Sequence, residues 1–144
     1  MNSLINFARY YTVYLWILYF LRQKSRILDF GCGNGELAYY LRQKGQEAYG
    51  VDPAVKSMPF LFESLADLEK AVHGSFKAIV LNFSLEHCDN PLLILKRLHT
   101  LLSSNGFIFI RVPDFTNILK NKRLSSFQLK IPSHRHFFSS SDIS

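Results

Sequence analysis

The stretch "RILDFGCGNGELAYYLRQKGQEAYGVDP", residues 26–53, decides the fold. "RILDF" (26–30) is a short apolar run that ends at a glycine, which predicts a buried strand. Gly31, Gly33 and Gly35 then alternate through a loop. "ELAYYLRQK" (36–44) reads as a helix, and Gly45 stands where a left-handed C-terminal cap belongs. "EAYGVD" (47–52) is a second strand. A strand, a glycine loop, a helix and a second strand make one unit of a parallel sheet.

The rest of the chain extends the same alternation. "PFLF" (59–62) is a third strand, and "LADLEKAVH" (65–73) is a short helix or irregular segment. "FKAIVLNF" (76–83) is a strand by its apolar run. "DNPLLILKRLHTLLSSNG" (89–106) reads as one helix, with Asp89 or Asn90 as its cap, Pro91 in its first turn and Asn105-Gly106 at its end. Ile94, Leu95, Leu98, Leu101 and Leu102 mark its buried face. "FIFIRV" (107–112) is a fifth strand, and Pro113 stops it. Apolar strands alternating with helices predict an α/β fold: a doubly wound, mainly parallel sheet covered on both faces.

A length of 144 residues, with 48% hydrophobic and 19% charged residues, suits one globular domain with a real core. We divide it into an apolar N-terminal helix (1–24), an α/β core (25–114) and a basic C-terminal segment (115–144). The N-terminal run "YYTVYLWILYFL" (10–21) is 12 residues, against roughly 20 for a membrane span. No small-residue cleavage site follows it, so the expectation is a helix buried against the domain. Attachment to a membrane surface through residues 4–21 is the alternative. The net charge is +6, and residues 115–144 carry Lys120, Lys122, Arg123, Lys130 and Arg135 against Asp142. No aromatic-and-basic module accompanies that charge, which disfavours nucleic acid as a partner. Cys32 and Cys88 make no disulfide framework, so a reducing, cytoplasmic compartment is expected.

In a sheet of this kind ligands bind outside the carboxyl ends of the strands, where the strand order reverses. The glycine loop lies there. Its glycines allow positive φ and close backbone approach, and the helix it opens offers free N–H groups. Asp52 ends the neighbouring strand, and a carboxylate there can accept from both hydroxyls of a ribose. Together they predict an adenosine-type ligand. A dinucleotide fingerprint beginning at Gly31 and Gly33 needs glycine where Glu36 stands. Beginning at Gly33 and Gly35, Ala38 fits the looser form, so the pattern alone leaves a dinucleotide open. A carboxylate beside that loop repels a pyrophosphate, however, and favours a ligand with a positive centre and an amino group. The Gly-Lys-Ser/Thr ending of a P-loop is absent.

"LDFGCGNG" followed by "GVDP" resembles the first two motifs of the class I S-adenosylmethionine-dependent methyltransferases, and "FKAIVLNFSLEHCDNPLLILKRLHTLLSSNGFIFIRVPD" is similar to a later segment of that family. The likeness covers about residues 24–114, with a weaker echo in "SHRHFFSSSDIS", and is greatest to the branch that modifies quinones, lipids and secondary metabolites. It implies a Rossmann-like sheet in the order 3-2-1-4-5, S-adenosyl-L-methionine as cofactor and a small-molecule acceptor. It also implies roles. Asp29 reaches the amino group of the methionine moiety, directly or through water. Gly31, Gly33 and Gly35 let the loop lie against methionine and ribose. Asp52 holds the ribose hydroxyls. Asn82 lines the methionine side near the sulfonium. Glu63, Ser64 or Asp67 meets the adenine.

Methyl transfer from a sulfonium is a direct displacement and needs alignment rather than a covalent enzyme intermediate. A base helps where the acceptor is a hydroxyl. His87 is the candidate, since a histidine suits proton transfer near neutrality; the alternative is that Glu86 and His87 brace the next helix. His134 and His136 form an H-x-H pair without a third ligand, so no metal site is expected. Cys32 reads as a small packing residue. Trp16, Phe20 and the tyrosines at 10, 11, 14 and 19 either roof an acceptor pocket or cover the sheet.

The family's sheet has seven strands, and five are recognisable here, so the last two are expected to be missing. The edge of the strand at 107–112 would then be closed by residues 115–144 folding back, or by a homodimer. A catalytically impaired or partner-dependent S-adenosylmethionine-binding module is the alternative function.

Overall fold

The structure is a computed structural model that describes residues 3–21, 23–114 and 135–139. Five strands, β1 (Arg26–Phe30), β2 (Glu47–Val51), β3 (Leu61–Phe62), β4 (Phe76–Asn82) and β5 (Leu102–Arg111), form one sheet in the order β3-β2-β1-β4-β5. Every neighbouring pair is parallel, as crossover helices between them require. The reversal point lies between β1 and β4, with Asp29 opposite Gly50 on one side and Val80 on the other.

Alternation along β4 explains why its sequence is almost wholly apolar. Ala78 and Val80 face one core, with Ile27 and Ala48. Ile79 and Leu81 face the other, with Leu28 and Leu98. Helices α1 (Ser3–Phe20) and α2 (Glu36–Gln43) cover the first face through Val13, Ile17, Leu37 and Leu41. Helices α3 (Leu65–Ala71) and α4 (Pro91–Thr100) cover the second through Leu65, Leu68 and Leu98. Val13, Ile17 and Leu21 recur at four-residue spacing, which gives α1 one buried stripe. Its other side leaves Leu15, Trp16, Tyr19 and Phe20 exposed. No helix among the described residues is long and apolar enough to cross a membrane.

The helix expected over residues 89–106 is shorter. Asn90 caps it, its Oδ1 accepting the Leu93 N–H at 3.0 Å, but α4 ends at Thr100. Leu102 already pairs with Phe76, and the register then jumps to Ala78 opposite Phe107. Asn105, at φ 57°, belongs to this bulge in β5 rather than to a helix end. Lys77 Nζ holds the bulge by donating to the Ser104 and Asn105 carbonyls at 3.2 and 2.7 Å.

Residues 135–139 return to the sheet. Phe138 forms a parallel bridge with Asp114, and the Arg135 and His136 N–H groups donate to the Glu86 carbonyl at 2.9 and 3.2 Å. The Arg135 guanidinium also pairs with Asp89. Residues 115–134 and 140–144 of the basic C-terminal segment lie outside the described residues.

Candidate functional site

The glycine loop leaves β1 and turns over the end of β2. The N–H groups of Gly31 and Cys32 donate to the Val51 carbonyl at 2.8 and 3.2 Å. Gly31 has φ +74°, and a Cβ there would lie 2.2 Å from the Ser84 Cβ, so neither the conformation nor the space admits another side chain. Gly33 and Gly35 also have positive φ, and Gly35 opens α2. Asp52 stands beside the loop. Its Oδ2 accepts the Gly33 N–H at 3.0 Å, and its Oδ1 accepts the Ala54 N–H at 2.8 Å. One bond on each oxygen fixes the carboxylate and leaves lone pairs for a ligand.

Two cavities flank the loop and share Gly31 and Phe83. One, of about 330 Å³, is lined by Asp29, Asn82, Tyr10 and Glu36. The other, of about 360 Å³, is lined by Asp52, Pro53, Phe30 and His87. Asp29 is buried, at 3% exposure. Asn82 Oδ1 is buried without a hydrogen-bond partner, an acceptor held for something the described residues do not supply. Tyr10 reaches the first cavity from α1, its hydroxyl donating to Glu36 Oε2 at 2.7 Å. Phe83 sits between the cavities at φ 57°, a conformation a bulky residue adopts only under constraint.

Cys32 lies in the same loop. Burial, and then the charges of Asp29 and Asp52, push its thiol up to about 12, so it is no nucleophile near neutral pH. Burial, and then Glu86 and Asp89, likewise push the Cys88 thiol up.

Among the residues expected at the site, Asp29, Gly31, Gly33 and Asn82 line the first cavity. Asp52 lines the second and joins it to the loop through Gly33. His87 is exposed on a short 3-10 turn and lines the Asp52 cavity, not the one with Asp29 and Asn82. Ser64 and Asp67, considered for the adenine, cap α3: Ser64 Oγ donates to Asp67 Oδ2 at 2.6 Å and accepts the Asp67 N–H at 3.2 Å. His136 Nε2 lies 3.3 Å from the Asp89 carbonyl, and His134 lies outside the described residues. Among the described residues no three metal-ligating side chains cluster. Of the N-terminal aromatics, Tyr10 reaches the first cavity, while Trp16 and Tyr19 line a separate apolar recess. Phe83 and Arg111 escaped the sequence reading. A phenylalanine in a left-handed conformation carries no local signal, and Arg111 ends a strand like any solvated charge.

The family described as a methyltransferase domain matches this sequence over residues 7–144. The chain belongs to that family. The ubiquinone biosynthesis O-methyltransferase of Chromobacterium violaceum is 30% identical over 99 residues, which is 59% of this chain and 43% of that protein. The protein of the same name from Xanthomonas campestris pv. campestris is 28% identical over 100 residues, 60% of this chain and 42% of its own. The methyltransferase-domain chain thus spans less than half the length of these curated relatives. Among solved structures, the plantazolicin methyltransferase BpumL, in complex with a pentazolic desmethylPZN analog and SAH, superposes with a TM-score of 0.72 at 22% identity, over 95% of this chain and 61% of that one. A SAM dependent methyltransferase from Archaeoglobus fulgidus superposes at 0.69 and 21% identity, over 99% and 65%. These likenesses place the sheet in the Rossmann-like methyltransferase fold.

Proposed function

We propose that this chain binds S-adenosyl-L-methionine across the two cavities and transfers its methyl group to a small-molecule acceptor. The observation that carries the reading is the pairing of Asp52 with the Gly33 N–H at 3.0 Å, beside a cavity where the Asn82 oxygen is buried without a partner. Asp29 and Asn82 are oxygen-bearing side chains that line one cavity, which suits a primary ammonium group. Asp52 suits a ribose diol, and the Gly31 surface, which a Cβ would fill, suits a ligand lying flat on the backbone. The cofactor supplies an activated methyl carbon. The chain supplies position and electrostatics: Asp29, Asp52 and Glu36 set a negative field around the loop, which complements a sulfonium and opposes a pyrophosphate. The names of the relatives, O-methyltransferases of ubiquinone biosynthesis, and the SAH in the BpumL complex support the same reading.

His87 is proposed as the group that accepts a proton from a hydroxyl acceptor. It is exposed and lines the Asp52 cavity, within the region where an acceptor would meet the cofactor. His87→Ala should then lower turnover by a larger factor than it weakens S-adenosylhomocysteine binding; equal turnover rejects the role. The exposed apolar side of α1 beside β5 supports association of two copies through the 107–112 edge. Light scattering reads this, and binding to liposomes would instead assign that side to a membrane surface. The two free thiols suit a cytoplasmic setting.

The deciding experiment is a calorimetric titration of the chain with S-adenosylhomocysteine and, separately, NADH. We expect saturable binding of the first and none of the second. NADH binding without S-adenosylhomocysteine binding would reverse the assignment.

A further inference from the structure

The tips of β1, β4 and β5 carry Asp29, Asn82 and Arg111. Asn82 stands directly opposite Arg111 in the β4–β5 register. Strand alternation puts each on the face that α1 covers: Asp29 follows Ile27, Asn82 follows Val80, and Arg111 follows Phe107 and Phe109. The row runs outward from the ammonium-binding end proposed above to a single cation.

Arg111 is unlike the other arginines whose side chains are described. Arg26 donates to Glu47, Arg42 to the Ala48 carbonyl, Arg97 to Glu69, and Arg135 pairs with Asp89. The half-buried Arg111 guanidinium makes no ion pair and no hydrogen bond among the described residues. Its contact is with the Phe83 ring, 5.0 Å from Cζ to the centroid. The Arg111 carbonyl meanwhile accepts the Phe83 N–H at 2.8 Å. Phe83, which walls both cavities, therefore also carries the guanidinium. A guanidinium lying over a ring uses its flat face there, and its N–H donors remain in the plane, where they match a carboxylate as a two-pronged partner. The cavity beside Arg111 is small, about 250 Å³, with Val112, Pro113, Phe138 and Ser139 on its walls. Asp114 also lines it. That second carboxylate opposes a doubly charged phosphate more than a singly charged acid.

We propose that Arg111 anchors a carboxylate on the methyl acceptor, so that the acceptor is a planar or aromatic carboxylic acid held beside the Phe83 ring. This rests on the methyltransferase reading of the neighbouring cavities.

The test measures binding of 4-hydroxybenzoate, its methyl ester and phenyl phosphate by ligand-observed NMR, with and without S-adenosylhomocysteine. We expect the acid to bind at least five-fold more tightly than the ester and the phosphate. Arg111→Gln should abolish that preference, and Arg111→Lys, which keeps the charge, should retain part of it. Thermal unfolding of both variants confirms that they fold. Equal binding of acid and ester, no acid binding at millimolar concentration, or a preference that survives in Arg111→Gln overturns the proposal. The acid preference measured without the nucleoside is read apart from the cofactor assignment. A chain that prefers the acid but never binds S-adenosylhomocysteine would sink that assignment and leave the Arg111 site standing.

Discussion

Asp52 and Gly33 are joined across the tips of two neighbouring strands, carboxylate Oδ2 to backbone N–H, at 3.0 Å. The bond sets the angle of the carboxylate over the loop before any ligand arrives. Asp52→Ala removes both the ligand acceptor and this support. It should weaken S-adenosylhomocysteine binding ten-fold or more, about 1.4 kcal/mol or above. Calorimetry reads it directly, and unchanged affinity would reject the ribose role of Asp52.

Gly31 should tolerate replacement worst among the loop glycines. Gly31→Ala meets Ser84 at 2.2 Å and must hold φ +74°. Strain of this kind costs about 1–3 kcal/mol before the clash with Ser84 is added. Gly45→Ala also has positive φ but nothing within 4 Å. Its loss should be smaller, about 1 kcal/mol. Denaturant midpoints of the two variants should therefore separate, with Gly31→Ala the lower. The reverse order would refute the packing of Ser84 on the loop.

Helix α1 is part of the fold through one stripe only. Ile17 is fully buried, so Ile17→Ala should cost about 2–5 kcal/mol. Tyr19 is 77% exposed, so Tyr19→Ser should change stability by about 0.5 kcal/mol or less. Equal effects would show that α1 does not dock as described.

Cys32 should react slowly with iodoacetamide at pH 8 compared with a free thiol, since its thiol is pushed up to about 12. Asp29→Asn or Asp52→Asn removes a nearby negative charge and should speed the reaction. The sign for stability follows from linkage. The folded chain holds this proton more tightly than the unfolded chain, so the contribution is complete below pH 9 and is lost as pH rises from 9 toward 12. Cys32→Ser should lessen that alkaline loss, read as Tm against pH.

Much of the fold is legible in residues 26–53 and 76–83, because glycine turns and unbroken apolar runs are strong local signals there. The order of the strands came from family resemblance rather than from pattern, since periodicity does not say which strands are neighbours. The end of α4 was misread for a physical reason. Asn-Gly closes helices and shapes bulges with the same left-handed residue, and only the pairing of Leu102 with Phe76 decides between them. The positions of Asp29, Asp52 and the glycines were legible because strand ends fix them. That His87 opens on the Asp52 side depends on the course of a 3-10 turn, which no spacing rule supplies.

Phe83 has a kinetic consequence. Its backbone is pinned by Arg111, its ring bears a cation, and it forms the partition between two chambers. The nucleoside proposed above spans both chambers and meets this ring, and so does an acceptor seated on Arg111. The order in which the two are added should therefore alter the observed rates, and exchanging this one aromatic for alanine should merge the chambers and erase that order.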